Sequence, residues 1–233
     1  SFMMDVQKNS RLALLQDVAA ESLMIHEIYA SIQGESSHAG LPCTFVRTSA
    51  CHLRCRYCDT AHAFHTGQSM ALEAIEDAVV ALGHPLVEIT GGEPLLQDNI
   101  HQLMTRLCDR GYQVLLETSG SLDISSVDSR VMRIVDMKTP FSGEESANLY
   151  ENLQILRPGD EVKCVIADRQ DYEWAKMLIG RYDLGARAKV LMGTVHGAMP
   201  DADLVQWILE DGLNVRFQLQ VHKIIWDSKK RGV

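Results

Sequence analysis

Three cysteines, Cys51, Cys55 and Cys58, fall within eight positions in the stretch "SACHLRCRYCDT". A thiolate is a soft metal ligand, and three of them with no obvious fourth make an incomplete shell. A four-iron cluster ordinarily takes four thiolates, so the spacing Cys51-x3-Cys55-x2-Cys58 leaves one iron open to a ligand from outside the chain. The same distinction separates catalytic zinc, which keeps a position open, from structural zinc. A zinc site completed by His52, His62 or His65 is the competing reading, although structural zinc usually shows two separated ligand pairs. A plain group of buried thiols is the third. Cys43, Cys108 and Cys164 stand inside apolar strand or helix patterns and are expected in the core as small hydrophobes.

Elements of a regular kind must hold such a loop. Apolar runs rich in Val, Ile and Leu at 43–48, 86–90, 112–118, 131–137, 161–167, 188–192 and 215–221 read as buried parallel strands. Between them lie helical patterns: Leu72, Ile75, Val79 and Leu82 recur at spacings of three and four, and 98–110, 170–179 and 202–210 are similar. Strands alternating with helices give a parallel sheet with right-handed crossovers. Six or seven βα units are too few for a complete eight-stranded barrel, so the expected fold is a partial, open parallel β/α barrel. In barrels the chemistry sits at the C-terminal ends of the strands. Here "CTFVRTSA" runs into the cysteine loop, "LVEIT" into "GGEP", "VLLET" into "SG" and "RIVDM" into "KTP", so one mouth would collect them all. The stretch 10–23 is expected to be a helix, and 139–148 a long mobile loop.

Composition narrows the function. At 233 residues, 46% apolar and 23% charged, the chain suits one globular core. An N-terminal extension over 1–24, opening on "SFM" that reads as a tag remnant, and a single catalytic domain over 25–233 are expected. Lys plus Arg number 22 against 31 Asp plus Glu, and a net charge of -9 disfavours nucleic acid as a partner. No run approaches the roughly 18 apolar residues of a membrane span, and the N-terminus lacks a secretory pattern, so a cytoplasmic location is expected. Six cysteines, three of them bunched, suit metal binding in a reducing compartment better than a disulfide scaffold.

"CHLRCRYC" resembles the cluster motif of the radical S-adenosylmethionine enzymes, and "EITGGEPLLQ" resembles their segment for the methionyl end of that cofactor. A closer resemblance, over about residues 25–226, is to the 7-carboxy-7-deazaguanine synthase family. It rests on "SIQGE", "TFVRTSAC", "CDTAHAF", "LETSG", "VDMKTP" and "QLQVHK". The chain departs from the general pattern in its long N-terminal segment and its tail "IIWDSKKRGV"; in some family members the chain end lies at the substrate.

The resemblance implies a 4Fe-4S cluster on Cys51, Cys55 and Cys58, with S-adenosylmethionine on the open iron. Its cofactor contacts would be Tyr57, Asp59, Gly92, Glu93, Thr118, Ser119, Asp136, Met137 and Lys138. The implied reaction takes hydrogen from carbon 6 of 6-carboxy-5,6,7,8-tetrahydropterin, contracts the ring and expels ammonia. The product, 7-carboxy-7-deazaguanine, leads to queuosine and other 7-deazapurines. Ile32, Gln33 and Gly34 would meet the pterin edge, Arg47 the substrate carboxylate, and Thr90 and His222 the pterin. Thr60 would hold a magnesium ion. No side chain is implied as a catalyst beyond the cofactor chemistry. A flavodoxin- or ferredoxin-type reductant and a homodimer are implied as partners. Taken singly, these residues also have plain readings: a tight turn for "TGGEP", a rim salt bridge for Arg47, a solvated Lys138, a capping Thr60, and loop histidines at 62 and 65. Two rivals share features. A glycyl-radical activating enzyme would carry both cofactor motifs but need not carry "SIQGE" with "FVR", and a non-enzymatic zinc or iron-sulfur module would need only the cysteines.

Overall fold

Apolar strands buried on both faces pair best with parallel neighbours, and the amphipathic stretches between them have the length of crossover helices. The computed structural model, which describes residues 10–233, folds this way. Its strands are β1 Ser22–Ile32, β2 Pro42–Thr48, β3 Gln68–Ala71, β4 Leu86–Gly91, β5 Gln113–Thr118, β6 Met132–Asp136, β7 Glu161–Ile166, β8 Lys189–Thr194 and β9 Arg216–Phe217. They form one sheet in the order β3-β1-β2-β4-β5-β6-β7-β8-β9. From β2 onward every pairing is parallel, while β1 runs antiparallel to both β2 and β3. The two edge strands do not pair, so the barrel stays open as expected.

Helices α1 Leu72–Leu82, α2 Asn99–Asp109, α3 Arg169–Tyr182, α4 Leu184–Arg187 and α5 Asp201–Asp211 connect the strands, and a short α6, Val221–Ile225, follows β9. Alternate strand residues divide between two environments, as the pleat requires. Val87, Ile89, Val114, Leu116, Val162 and Cys164 pack with Ile75, Val79, Ile100, Leu103, Tyr172 and Leu178 in the main core. The other set begins with a small apolar floor of Cys43, Phe45, Leu86 and Leu115. Two or more residues farther along the strands the same face turns polar, with Arg47, Glu88, Thr90, Glu117, Asp136 and Lys163 lining a cavity. Cys43, Cys108 and Cys164 are all buried free thiols, in keeping with core roles.

Four expectations are corrected. The 10–23 helix is reduced to a 3-10 turn, Ala13–Asp17, that buries none of its residues; Leu23 pairs with Met70 in the sheet instead. Strand β1 starts at Ser22 and crosses the boundary expected between 24 and 25, so the described end of the extension belongs to the same sheet; residues 1–9, with "SFM", lie outside the described residues. The strand expected over 215–221 is only Arg216–Phe217, because the Val221 N–H turns away to donate to the Gly34 carbonyl at 2.9 Å. The 139–148 loop is held rather than mobile: Asn148 exchanges two hydrogen bonds with the Lys138 backbone, at 2.9 and 2.8 Å, and the Asp171 carboxylate accepts from Thr139 Oγ1 and the Phe141 N–H, both at 3.0 Å.

No backbone ladder closes the gap between β1 and the far strands. Three backbone amides bridge it, Val221 to the Gly34 carbonyl, Ser36 to Gln218 Oε1 at 2.8 Å and Ser37 to Glu161 Oε1 at 3.0 Å, beside an ion pair of Lys163 with Glu35 at 3.4 Å.

Candidate active site

The cysteine loop leaves β2 through Ala50, a non-glycine residue at φ 71°. That left-handed conformation is uncommon outside turns and functional loops. It is held from both sides, by the Ala50 N–H to the Ala63 carbonyl and the Glu93 N–H to the Ala50 carbonyl, each at 2.9 Å. Arg54 then staples the loop, donating from Nη1 to the carbonyls of Cys51 and Leu53 at 2.6 Å while its guanidinium lies 4.1 Å over the Phe64 ring. Cys51, Cys55 and Cys58 gather with Leu53 and Phe64 in a small apolar cluster, and all three thiols line one cavity of about 1220 Å³. That exceeds the roughly 300–1,000 Å³ of a single small-molecule site and leaves room for a cofactor and a substrate together.

Burial pushes the Cys51 thiol up to about 12 and Cys55 up to about 11, so a bound cation must displace their protons before they ligate. His65 is exposed, and His52 Nε2 lies 2.9 Å from Ser121 Oγ.

The "TGGEP" loop lies directly against the cysteine loop. A Cβ on Gly92 would come within 2.0 Å of the Ala50 carbonyl oxygen and 2.9 Å of Cys51 Cβ, so only glycine lets the two loops touch. Gly92, Thr118, Ser119, Asp136 and Lys138 line the cavity beside them, with Tyr57 and Asp59 from the cysteine loop. Asp136 Oδ2 accepts from Lys138 Nζ at 2.9 Å, whereas Oδ1 is buried with no partner among the described residues. Leaving a buried acceptor unpaired is costly, and an N–H or O–H of a bound cofactor would satisfy it. The donors and acceptors present therefore fit a cluster with S-adenosylmethionine beside it.

Two of the expected contact residues do not line the cavity in this structure. Glu93 is fully buried and its carboxylate accepts from the Leu95 N–H at 3.1 Å, Thr118 Oγ1 at 2.9 Å and the Ser119 N–H at 2.7 Å. It joins the end of β4 to the end of β5 and does not line the cavity. Met137 is also fully buried in the main core, as a residue between two cavity-facing neighbours must be.

The same cavity is lined by Ile32, Gln33, Gly34, Arg47, Thr90 and His222. Gln33 Nε2 donates to Glu88 Oε1 at 2.5 Å. Arg47 donates from Nε to Glu27 at 2.8 Å and from Nη2 to Tyr29 Oη at 3.0 Å. His222 packs so tightly on Gly34 that a Cβ there would fall 1.9 Å from Nδ1, and Lys223 beside it reaches Asp59 of the cysteine loop at 2.9 Å. Burial and the Lys223 ammonium hold the His222 imidazole below its ordinary value. Thr60 lines the same cavity, and its hydroxyl makes no capping bond to the turn that follows.

Motif reading did not single out Glu35, Glu88, Glu117 or Lys163, all of which line the cavity. Lys163 touches Glu117, lies 3.4 Å from Glu35 and 3.9 Å from Asp136. Burial alone would push the Lys163 ammonium down, but Glu117, Glu35 and Asp136 hold it well above its usual value. The available signal was a charged residue within an apolar strand run, as in "LVEIT" and "EVKCV".

Burial, with Glu117 next, pushes Glu88 well above the usual carboxylate value despite the Gln33 hydrogen bond. A carboxyl raised on folding stabilises most below its unfolded pKa, and that contribution is lost as pH rises through the folded value. Glu88→Gln, which keeps an oxygen for Gln33, is therefore expected to lose less stability than the parent chain between pH 5.5 and 8.5. Urea midpoints at both pH values test this; parallel losses would refute it.

Residues 45–140 match the Radical SAM superfamily model. The chain is 46% identical to 7-carboxy-7-deazaguanine synthase of Chlorobaculum tepidum, covering 91% of this chain and 97% of that protein. It is 44% identical to the synthase of Koribacter versatilis, covering 91% of this chain and all of that one. The crystal structure of QueE from Escherichia coli superposes with a TM-score of 0.72 at 22% identity over 86% of this chain and 95% of that one, which shows a common fold. With the cysteine loop, the glycine loop pressed against it and relatives matched nearly end to end, the chain belongs to the 7-carboxy-7-deazaguanine synthase family of radical S-adenosylmethionine enzymes.

Proposed function

We propose that this enzyme converts 6-carboxy-5,6,7,8-tetrahydropterin to 7-carboxy-7-deazaguanine. The observation that carries the reading is one cavity lined both by the three thiols and by Gln33, Arg47, Glu88 and Thr90, donors and acceptors suited to a planar heterocycle bearing a carboxylate. When bound, the cluster and S-adenosylmethionine supply reductive cleavage and removal of a substrate hydrogen atom. The chain's own residues supply placement. Arg47, fixed by Glu27 and Tyr29, offers its remaining N–H groups to the substrate carboxylate. Gln33, Glu88 and Thr90 offer donors and acceptors to the pterin edge, with Glu88 able to donate because burial favours its neutral form. Gly34 lets His222 close over these residues, and the Lys223–Asp59 pair ties that closure to the cysteine loop. Such holding brings carbon 6 near the cofactor and keeps water away.

A flavodoxin- or ferredoxin-type carrier is the proposed electron source, and a cytoplasmic homodimer the proposed working form. Among the described residues no helix is long and apolar enough to cross a membrane, and Ile224 and Ile225 offer an exposed apolar surface to a second copy. Incubating the reduced, cluster-loaded protein with the carboxytetrahydropterin tests the reaction. A deazaguanine product supports it, whereas cofactor cleavage without that product would point to another radical enzyme.

Thr60 is the proposed magnesium ligand. Magnesium prefers hard oxygen ligands and keeps waters, so one protein hydroxyl with substrate oxygens makes a reasonable shell. Magnesium is expected to raise turnover in the parent enzyme. Thr60→Ala is expected to lose most of that response while keeping its iron content and cofactor affinity. Turnover with and without magnesium in both proteins checks this, and an undiminished response in the variant would remove Thr60 from the metal site.

A further inference from the structure

We infer that the chain carries a second metal site, distinct from the cysteine loop, in which His26, Glu27 and His62 bind one divalent transition cation of the zinc type. A ligand atom from each of the three lies within 4.8 Å of the other two. In a tetrahedral zinc shell with bonds near 2.0–2.1 Å such atoms stand about 3.3 Å apart, so modest side-chain movement would close the set around an ion. Neighbouring residues of a strand normally point to opposite faces. Here the β1–β2 register shifts between Ile25 and Glu27, leaving His26 as the extra residue of a bulge. A bulge re-aims a side chain, which explains how His26 and Glu27, adjacent in sequence, reach one site.

The surroundings resemble those of a ligating histidine. His26 Nδ1 lies 3.2 Å from the Thr66 carbonyl and 3.0 Å from Thr66 Oγ1, and that hydroxyl in turn donates to the His62 carbonyl at 2.9 Å. With its own proton committed, Thr66 Oγ1 is left as an acceptor, as the carbonyl must be. His26 Nδ1 is then the donor and Nε2 carries the lone pair, the arrangement that outer-shell carbonyls impose on metal-bound imidazoles. His62 Nε2 is buried with no hydrogen-bond partner among the described residues. Glu27 is oriented by Arg47 through one oxygen, and a carboxylate can give its other oxygen to an ion. Two imidazoles and a carboxylate form a zinc-type set that leaves a position for water. An ion there would join β1 to the turn after the cysteine loop.

The test uses the cluster-loaded enzyme, so that the cysteines are already ligated. It is equilibrated anaerobically with Zn2+, washed, and analysed for zinc and iron, with zinc-edge X-ray absorption on the same sample. The expected result is one zinc per chain, with only nitrogen and oxygen neighbours and iron content unchanged. His26→Ala and His62→Ala, each with full iron content to certify its fold, are expected to bind zinc about tenfold more weakly or worse. Sulfur neighbours near 2.3 Å would put the zinc on cysteines and overturn the site. Zinc affinity unchanged in either histidine variant, or no zinc retained by the parent enzyme, would overturn it equally.

Discussion

Replacing Cys55 with alanine is expected to leave a folded protein that holds no intact four-iron cluster and cleaves S-adenosylmethionine no faster than background. The fold should survive because Cys55 is only half-buried and belongs to the small apolar cluster with Leu53 and Phe64, apart from the main core. Losing a sulfur from such a place costs about 1 kcal/mol. The cluster should not survive, because thiolates are its protein ligands and the loop offers only three. Iron and sulfide content, circular dichroism and cofactor cleavage measured together separate the two effects. Full cleavage activity in a well-folded variant would sink the assignment of this loop.

Lys163→Met is expected to have the largest effect on stability, about 3–5 kcal/mol at pH 8, because it removes one partner from a buried ion network and leaves the other charges behind. Only 7% of the Lys163 side chain is exposed, and it faces Glu35, Glu117 and Asp136 together. The loss should shrink as pH falls. Burial raises the Glu35 carboxyl, and Lys163 is the main influence lowering it. Without the ammonium, burial acts unopposed and the folded state holds a proton that the unfolded chain has released. A group raised in this way stabilises at low pH and loses that contribution as pH rises through its folded value. Urea midpoints at pH 5.5 and 8 decide the matter, and an equal loss at both would mean that the carboxylates find other partners.

The same lysine shows where the sequence was legible and where it was not. Seven parallel strands could be read because Val, Ile and Leu runs between amphipathic stretches leave few alternatives. Strand β1 was missed: its bulge at His26 breaks the period of two, and its polar Glu27 and Tyr29 face a cavity rather than solvent. The polar residues inside strand runs, Glu88, Glu117 and Lys163, carried a signal of a lined interior that apolar counting passes over. Motif matching brought most of the site together, yet it cannot tell a residue that touches a ligand from one that holds the loop in place. The Glu93 carboxylate, accepting from Leu95, Thr118 and Ser119, does hold the loop in place. The core position of the Met137 side chain could have been read by parity alone, since Asp136 and Lys138 on either side both line the cavity.

The gap between β1 and the far strands has a kinetic consequence. A ladder opens only when many hydrogen bonds break together, whereas the backbone part of this join is three amides, Val221 to Gly34, Ser36 to Gln218 and Ser37 to Glu161, with the Lys163–Glu35 ion pair beside them. Local opening free energies follow the number of bonds and the apolar contact broken at once. The amides of Ser36, Ser37 and Val221 should therefore exchange with deuterium long before those of β4 to β7. Seen on that timescale the barrel is a rigid trough with a hinged side, able to part along one line while its core remains folded.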